Sequence, residues 1–435
     1  MSLRLAACAA WVAVLWAPGV LQAAPPDSSP LPSSEPQSAA GRQAIPLAPL
    51  PLREALRAAW ARHPAAMSVS AQKVAARARL DAAGRPLYNP GVEVAVDKQG
   101  PDTSVTGGLS LTLDWHDKRG ARRDAAAARL TQVEATARRI QRDFVRQWFA
   151  SWADLQTARQ RVATGERRLA LVTRFVEVAR RQFVAQDISG LERDFAQLAL
   201  DEARAEQSRL LAEVAEAEAR FRSVGGDPTT VSIASLPTNQ LPRQTVQLGD
   251  VELLPDLQVA KAAALAAERD VTVAERNRRG DPTVAVRAGR IDLDGLQDNV
   301  LGASVSIPLF VRNTYRAEVT AAQADAQAAG ADAARIRLEL EAERMRAVST
   351  YAATRDTWAR WEASRGTDVD RRTNLLERLL REGELSPSDY LVQLRQTLDT
   401  QLAGAELEAR VWRAWTDYLA ATGQLERWAG LEATP

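Results

Sequence analysis

The sequence has very little of the material from which disulfides and metal centres are made. Its 435 residues include one cysteine, Cys8, and two histidines, His63 and His116. One cysteine cannot form a disulfide within the chain, and two isolated histidines cannot supply a histidine–cysteine zinc or copper cluster. No nucleophile, phosphate-binding loop or metal-ligand motif typical of an enzyme is found either. We therefore expect neither a catalytic centre nor a bound cofactor or metal.

An excess of charge of one sign is also missing. The chain carries 56 basic and 55 acidic side chains, for a formal net charge of +1. Such a balance gives no bulk attraction to nucleic acid, so a nucleic-acid partner is not expected.

Long apolar runs are absent except at the N-terminus. The segment Leu5–Leu21 is apolar and is followed by small residues suited to cleavage, which predicts a secretory signal peptide over 1–23. Pro18 interrupts a segment already short for a membrane-anchoring helix. Residues 24–51 are rich in Pro, Ser and Ala, and they predict an extended leader that builds no core.

Two segments alternate apolar and polar residues on both sides of a turn. Val92, Val94 and Val96 begin the first, and the pattern returns in the second half of the chain from Val284. Alternation with period two predicts β-hairpins, with strands at about 88–115 and 282–310.

Each hairpin is followed by an unusually long helical pattern, predicted over 118–186 and 313–381. At 1.5 Å per residue the first helix is roughly 100 Å long. Its apolar residues recur at intervals of three and four, as in a coiled coil. They are Leu155, Ala158, Val162, Leu169, Val172, Val176, Ala179 and Phe183. The returning helix carries Phe195, Leu198, Leu210, Val214 and Phe221.

The order helix, hairpin, long helix, turn, helix occurs twice, which indicates an internal repeat. The first helix is expected to break at His63, because the proline that follows disfavours helix there. The predicted fold class is mainly α with a small β part. Its predicted segments are a first repeat at 52–225, a linker at 226–251, a second repeat at 252–423 and a C-terminal tail at 424–435.

Strands of about ten residues, apolar on one face and polar on the other, suit a transmembrane β-barrel. Four strands cannot close a barrel, and lipid does not tolerate an open sheet edge, so other copies must complete it. Two copies give eight strands and three give twelve; we favour a trimer, because twelve strands leave a channel. Tyr88, Trp115 and Phe310 lie at one end of the strands and predict an aromatic girdle, unless they simply pack at strand ends.

The doubled layout resembles the TolC-type outer-membrane efflux channel family across nearly the whole mature chain. The resemblance also rests on "SVSIPLFVRNTYRAEVTAAQA" and "REGELSPSDYLVQLRQTLDTQLAGAELEA". It implies a trimer with a 12-stranded barrel in the outer membrane of a Gram-negative bacterium and a long α-helical barrel in the periplasm. Such a channel is the exit duct of a tripartite exporter, joined through a periplasmic adaptor to an inner-membrane pump of the RND type. The "GELSPSDYL" turn is most similar to the heavy-metal cation efflux branch, while drug efflux and type I secretion stay open.

The two helical turns carry the candidate functional residues. Acidic residues there predict a threefold ring at the tunnel mouth, formed by Glu192, Glu384 and Asp389, although helix-end charge explains them equally well. The resemblance matches Asp389 to the first of two pore aspartates and puts Val392 at the second. It places Leu380 and Leu385 where relatives hold the gate with tyrosine and arginine. Candidate adaptor-docking residues are Ser189, Gly190, Leu191, Gly383, Leu385 and Ser386.

Two other classes of protein stay open. A periplasmic adaptor also contains a long helical hairpin, but adaptors have one hairpin between two glycine-rich lipoyl halves, whereas this chain predicts two hairpins. A structural coiled-coil protein of an envelope complex leaves the strand pairs unexplained. Separating the outer from the inner membrane distinguishes a channel from an adaptor.

Overall fold

A computed structural model describes residues 47–100, 102–229, 241–242, 250–293, 296–365 and 368–431. The predicted signal peptide and nearly all of the predicted leader lie outside the described residues, as does most of the predicted linker. The described residues of the leader include the start of the first helix, at Leu50.

The described elements follow the predicted order of helix, hairpin, long helix and returning helix, twice over. They are α1 Leu50–Arg62, α2 Pro64–Ala83, β1 Gly91–Gln99, β2 Asp102–Thr112, α3 Lys118–Val184, α4 Gly190–Ser223, α5 Pro255–Asn277, β3 Thr283–Leu293, β4 Leu296–Ser306, α6 Arg316–Arg365, α7 Asp368–Arg381, α8 Pro387–Ala421 and α9 Leu425–Ala429.

Two elements differ from the sequence prediction. The second long helix is described as two helices, α6 and α7, with residues 366 and 367 between them outside the described residues. The segment predicted as a tail contains α9, whose Leu425 and Trp428 are buried. The break between α1 and α2 falls at His63, as expected, and its ring nitrogen accepts a hydrogen bond from Ala65 N at 3.2 Å.

The four strands form one antiparallel sheet in the order β1-β2-β3-β4. In chain order α2 leads into β1, β2 into α3, α5 into β3 and β4 into α6. The helices pack in the same sequence, α3 against both α2 and α5, and α5 against α6. The sheet therefore continues, strand by strand, into a wall of four helices.

One face of the sheet is apolar and exposed. Val92 and Val94 of β1 are 78% and 72% exposed, and Leu301 and Val305 of β4 are 80% and 66% exposed. The alternate positions of the strands form a polar face that includes Glu93, which lies opposite Gly108. Such alternation confirms the two hairpins predicted from the sequence.

The main core lies among α1, α3, α4, α6, α8 and α9 and is built around aromatic side chains. Trp148, Trp358 and Trp415 are each no more than 2% exposed. Tryptophan pairs at helical spacing therefore pack the helices together. In the part of the chain that the structure describes, no helix combines the length and apolar composition needed to cross a membrane.

Candidate functional site

The first helical turn, between α3 and α4, is closed by a capping box. Ser189 Oγ accepts a hydrogen bond from Glu192 N at 3.2 Å, and Ser189 N donates to Glu192 Oε2 at 2.8 Å. These two bonds satisfy backbone groups that the start of a helix leaves without partners. Hydrogen bonds from the backbone and then the side chain of Ser189 lower the pKa of Glu192 below its ordinary range.

The second turn, between α7 and α8, also has a serine cap. Ser386 Oγ accepts from Asp389 N at 3.1 Å and donates to Asp389 Oδ2 at 2.7 Å. A serine followed three residues later by an acid is the sequence signal of such a cap. Both helix starts thus use a serine cap, and the first adds the reciprocal bond from the Ser189 backbone; only the charge of the two acids was considered in the sequence prediction.

The acidic residues predicted for the pore are held differently. Asp389 is exposed and Glu192 is partly buried, and each is bonded to the serine that caps its helix. Glu384 is also exposed, and its backbone N donates to Leu379 O at 3.0 Å. Glu192 and Asp389 therefore fix the ends of their helices and still present charge to solvent. Among the described residues, no group of three His, Cys, Asp or Glu side chains is placed to hold a metal ion.

The two turns end their preceding helices in the same way. Gln186 N bonds to Phe183 O at 3.1 Å, and Gly383 N bonds to Leu380 O at 3.3 Å. Both Gln186 and Gly383 have positive φ, 59° and 75°. This left-handed conformation suits glycine, so Gln186 is strained where Gly383 is not.

The other predicted docking residues are not equally available. Leu191 is 64% exposed at the first turn, whereas Leu385 is half-buried against the core below the second turn. Leu380, for which the resemblance implies a gate position, is buried in that core. Gly190 needs no unusual backbone, and a Cβ on it would meet only Phe183 Cε2, at 3.7 Å.

A second core lies beneath the turns and holds α3, α4, α7 and α8 together. Tyr390 is 2% exposed and stacks on Phe175 at 5.2 Å between ring centroids. Burial raises the pKa of Tyr390 to about 12. The other buried members are Leu171, Val172, Ala179, Ala196, Leu200, Ala203, Leu376, Leu380, Leu394 and Leu398.

An apolar groove of about 330 Å³ opens between α4 and α8 near the turns. Phe195 and Leu198, which the sequence placed on the packing face of α4, line this groove and are more than half exposed. Val392, the residue in place of a second pore aspartate, also lines it. The apolar residues on this side of α4 are thus not covered by the chain's own helices.

The three aromatic residues of the predicted girdle have three different environments. Trp115 is 72% exposed just after β2. Phe310 packs edge-on against Tyr315, 5.1 Å between ring centroids. The hydroxyl of Tyr88 donates to Asp281 Oδ2 at 2.7 Å, which draws this residue toward a buried cluster. Of the three, only Trp115 is mostly exposed, as a girdle side chain is expected to be.

That cluster contains a buried ion pair between the two repeats, which no local sequence pattern predicts. Lys118 Nζ lies 3.0 Å from Asp281 Oδ2, and the two side chains are 8% and 2% exposed. Lys118 begins α3, and Asp281 precedes β3. The same carboxylate oxygen accepts from Tyr88, so Asp281 contacts two residues of the first repeat where strands meet helices.

Comparison with known proteins supports one fold. No family model matches the chain. The cobalt-zinc-cadmium resistance protein CzcC of Cupriavidus metallidurans is 25% identical over 258 residues, which cover 55% of this chain and 59% of that protein. The chain thus spans less than two thirds of the length of this curated relative.

Solved structures match over a greater length. A structure of CusC, a protein studied for its transmembrane channel formation, matches with a TM-score of 0.71 at 15% identity. The match covers 86% of this chain and 92% of the CusC chain. The outer-membrane protein VceC of Vibrio cholerae has a TM-score of 0.67 at 19% identity, covering 86% and 96%. A membrane protein from Pseudomonas aeruginosa has a TM-score of 0.69 at 18% identity, covering 87% and 95%. The chain therefore has the fold of the TolC-type outer-membrane channels, as its sequence predicts.

Proposed function

We propose that the chain is the outer-membrane exit duct of a tripartite efflux system. It conducts substrates passively from an inner-membrane pump of the RND type, through a periplasmic adaptor, to the cell exterior. The sheet lies in the outer membrane of a Gram-negative bacterium, and the helical wall extends into the periplasm. No catalytic step is assigned to the chain.

The sheet is the observation that carries this proposal. It exposes a continuous apolar face, and within the described residues β1 and β4 each pair on one side only. In water such a surface favours aggregation, and in lipid each unpaired backbone group costs several kcal/mol. Closure with further copies of the same sheet removes both problems.

The number of copies follows from the width of the bore. Each chain contributes four strands. Two chains give a barrel of eight strands, whose interior side chains fill, whereas three chains give twelve strands and a channel. Each chain also contributes a wall of four helices next to the sheet, and the association that closes the barrel closes these walls into a helical tunnel. A homotrimer is therefore the proposed working unit.

Heavy-metal cations are the proposed substrates. The curated relative is named for resistance to cobalt, zinc and cadmium. Negative charge at the turns, from exposed Glu384 and Asp389 and partly buried Glu192, attracts cations to a pore entrance. Apolar organic compounds are a second candidate, supported by the groove that Phe195, Leu198 and Val392 line.

The two turns are the proposed docking points for the adaptor. Ser189, Gly190 and Leu191 lie at one turn, and Gly383, Leu385 and Ser386 lie at the other. Cysteines introduced at Ser189 and at Ser386, one at a time, are expected to cross-link to cysteines in the adaptor's hairpin tip. A matched cysteine at Arg220, on exposed α4 surface far from the turns, should not.

Fractionation of cells that produce the full chain tests the proposal. We expect the protein in the outer membrane, extracted only by detergent and trimeric after purification, with ion conductance in planar bilayers. Deletion of its gene should raise sensitivity to cobalt, zinc and cadmium; sensitivity only to apolar drugs would select the second candidate. A stable monomer that needs no detergent would contradict the channel itself.

A further inference from the structure

The two ends of the sheet carry opposite charge. Each strand is connected at one end to a helix, and we call these four connections the joins. The ten residues next to each strand at its join, 81–90, 113–122, 273–282 and 307–316, together include nine Lys or Arg and five Asp or Glu. At the hairpin ends, the two turns and the three residues of each strand that adjoin them include five Asp and one Lys. Since the whole chain is almost neutral, this polarity is a local property of the sheet.

The acids at the helical end are mostly engaged in local contacts. Asp114 accepts hydrogen bonds from Lys118 N and Arg119 N at 2.7 and 2.8 Å, which caps α3. Asp117 pairs with Arg276 at 2.6 Å, and that bond lowers its pKa below the ordinary range. Asp281 is the buried partner of Lys118. Little negative charge is left to neutralise the arginines around them.

The arginines at the same end are exposed. Arg85, Arg119, Arg279, Arg312 and Arg316 have exposed side chains, at least one at each join. Within the described part of the chain, none of these five guanidinium groups forms an ion pair. Trp115, also exposed, lies at the same level of the sheet. Arginines without ion pairs and the amphipathic Trp115 ring thus occur together where the apolar strands end.

We propose that these five residues, the arginine belt, bind the phosphate groups of phospholipids in the periplasmic leaflet of the outer membrane. The inference rests on the proposed function, which puts the strands in lipid and the joins at the periplasmic surface. Guanidinium groups match phosphate oxygens with paired, charge-assisted hydrogen bonds. Their long aliphatic stems can lie along apolar surface while the charged ends reach the headgroups.

The layout favours a lipid surface over a free phosphate ion. The belt arginines are distributed over four joins along the width of the sheet instead of converging in one cavity, and they lack the fixed cradle that a small anion needs. Each basic residue near an anionic surface adds roughly fivefold to binding. Several such groups in a row hold many headgroups weakly, and so fix the depth and tilt of the sheet in the bilayer.

Native mass spectrometry of the full-length purified trimer tests the belt. The protein is released from micelles doped with equal amounts of phosphatidylglycerol and galactosyl diacylglycerol with identical acyl chains, the second lacking phosphate. A triple variant, Arg119→Gln, Arg279→Gln and Arg312→Gln, removes three exposed belt charges. The control variant, Arg220→Gln, Arg372→Gln and Arg378→Gln, removes three exposed arginines remote from the joins.

The wild type and the control should retain phosphatidylglycerol over the glycolipid by about fivefold or more, and the belt variant should lose most of that preference. Inorganic phosphate added to the micelles should leave retention unchanged. Equal preference in the belt variant, or displacement by inorganic phosphate, overturns the inference. An inserted trimer without any preference contradicts the belt alone, whereas a chain that never inserts contradicts the proposed function.

Discussion

The two helical turns share their backbone and differ in what supports it. Each ends its long helix at a residue with positive φ, Gln186 or Gly383, and each begins its returning helix with a serine cap three residues later. Four residues after its cap the first turn has Arg193, which lies over the Phe183 ring at 4.4 Å. The second turn has Tyr390, which is buried against Phe175.

The first turn is therefore strained and has little support from the core, whereas the second turn is unstrained and is anchored in the core. The first turn keeps a non-glycine residue in a left-handed conformation and ends in an exposed cation–π contact. The second has the glycine that the conformation favours and inserts an aromatic ring between helices. We infer that α8 is the more firmly anchored of the two returning helices, and the following experiments test this comparison.

Truncating the two residues that follow the caps should give the largest contrast. Tyr390→Ala removes a buried ring and should destabilise the second turn by about 3–5 kcal/mol. Arg193→Ala removes an exposed cation–π contact and should cost less than about 1 kcal/mol. Hydrogen exchange of the segments next to each turn, measured on the purified trimer, reports both. An equal loss of hydrogen-exchange protection in the two variants would contradict the inference that α8 is the more firmly anchored helix.

Alkaline pH should weaken the second turn and leave the first unchanged. Because burial raises the pKa of Tyr390 from 10.0 to about 12, its neutral form stabilises the fold. That contribution is complete below pH 10 and is lost as the pH rises toward 12, roughly 3 kcal/mol in all. Urea midpoints at pH 9 and pH 11.5 should differ less in Tyr390→Phe than in the wild type. An identical pH dependence in both proteins would exclude this cause.

Exchanging the residues with positive φ should change the stability of the two turns in opposite directions. Gln186→Gly relieves strain and should stabilise the first turn, while Gly383→Gln introduces it and should destabilise the second, each by about 1 kcal/mol. The added side chain at Gly383 meets open space, so backbone strain alone is measured. Hydrogen-exchange rates at residues 183–189 and 380–386 should fall in the first variant and rise in the second. Changes in the same direction in both variants would contradict the assignment of strain to Gln186.

Removing the caps should give the smallest contrast, because a serine hydroxyl accepts from the backbone at the start of each returning helix. Ser189→Ala and Ser386→Ala should each cost about 1 kcal/mol at the start of their helices. Threonine at either position keeps the hydroxyl and serves as the control. A cost confined to one turn, measured by the same hydrogen exchange, would show that the two caps are not equivalent.

Local patterns in the sequence predicted most of the fold. Alternation placed the strands, the proline after His63 placed the break between α1 and α2, and the start of α3 at Lys118 is as expected. Each of these depends on neighbouring residues, whose chemistry is visible in a single sequence. The serine caps were visible in the same way.

Contacts between distant residues could not be predicted. Lys118 and Asp281 are 163 residues apart and lie in different repeats, and only the folded sheet brings them together. The periodic pattern of α4 likewise does not distinguish a residue packed inside the chain, such as Leu210, from one left exposed, such as Phe195. Both have an apolar side chain at a helical spacing, and what covers each is decided by other helices.

Cross-linking of the two outer strands tests the central claim, that copies of this chain complete one another's sheet. Single cysteines on the apolar face of β1 are combined in turn with single cysteines on that face of β4. The positions are Val92, Val94 and Val96 on β1, and Leu301, Ala303 and Val305 on β4. Disulfides require Cα atoms within about 7 Å, so only directly paired strands react. We predict that at least one combination gives a covalent trimer in the outer membrane; monomers in every combination would contradict the account.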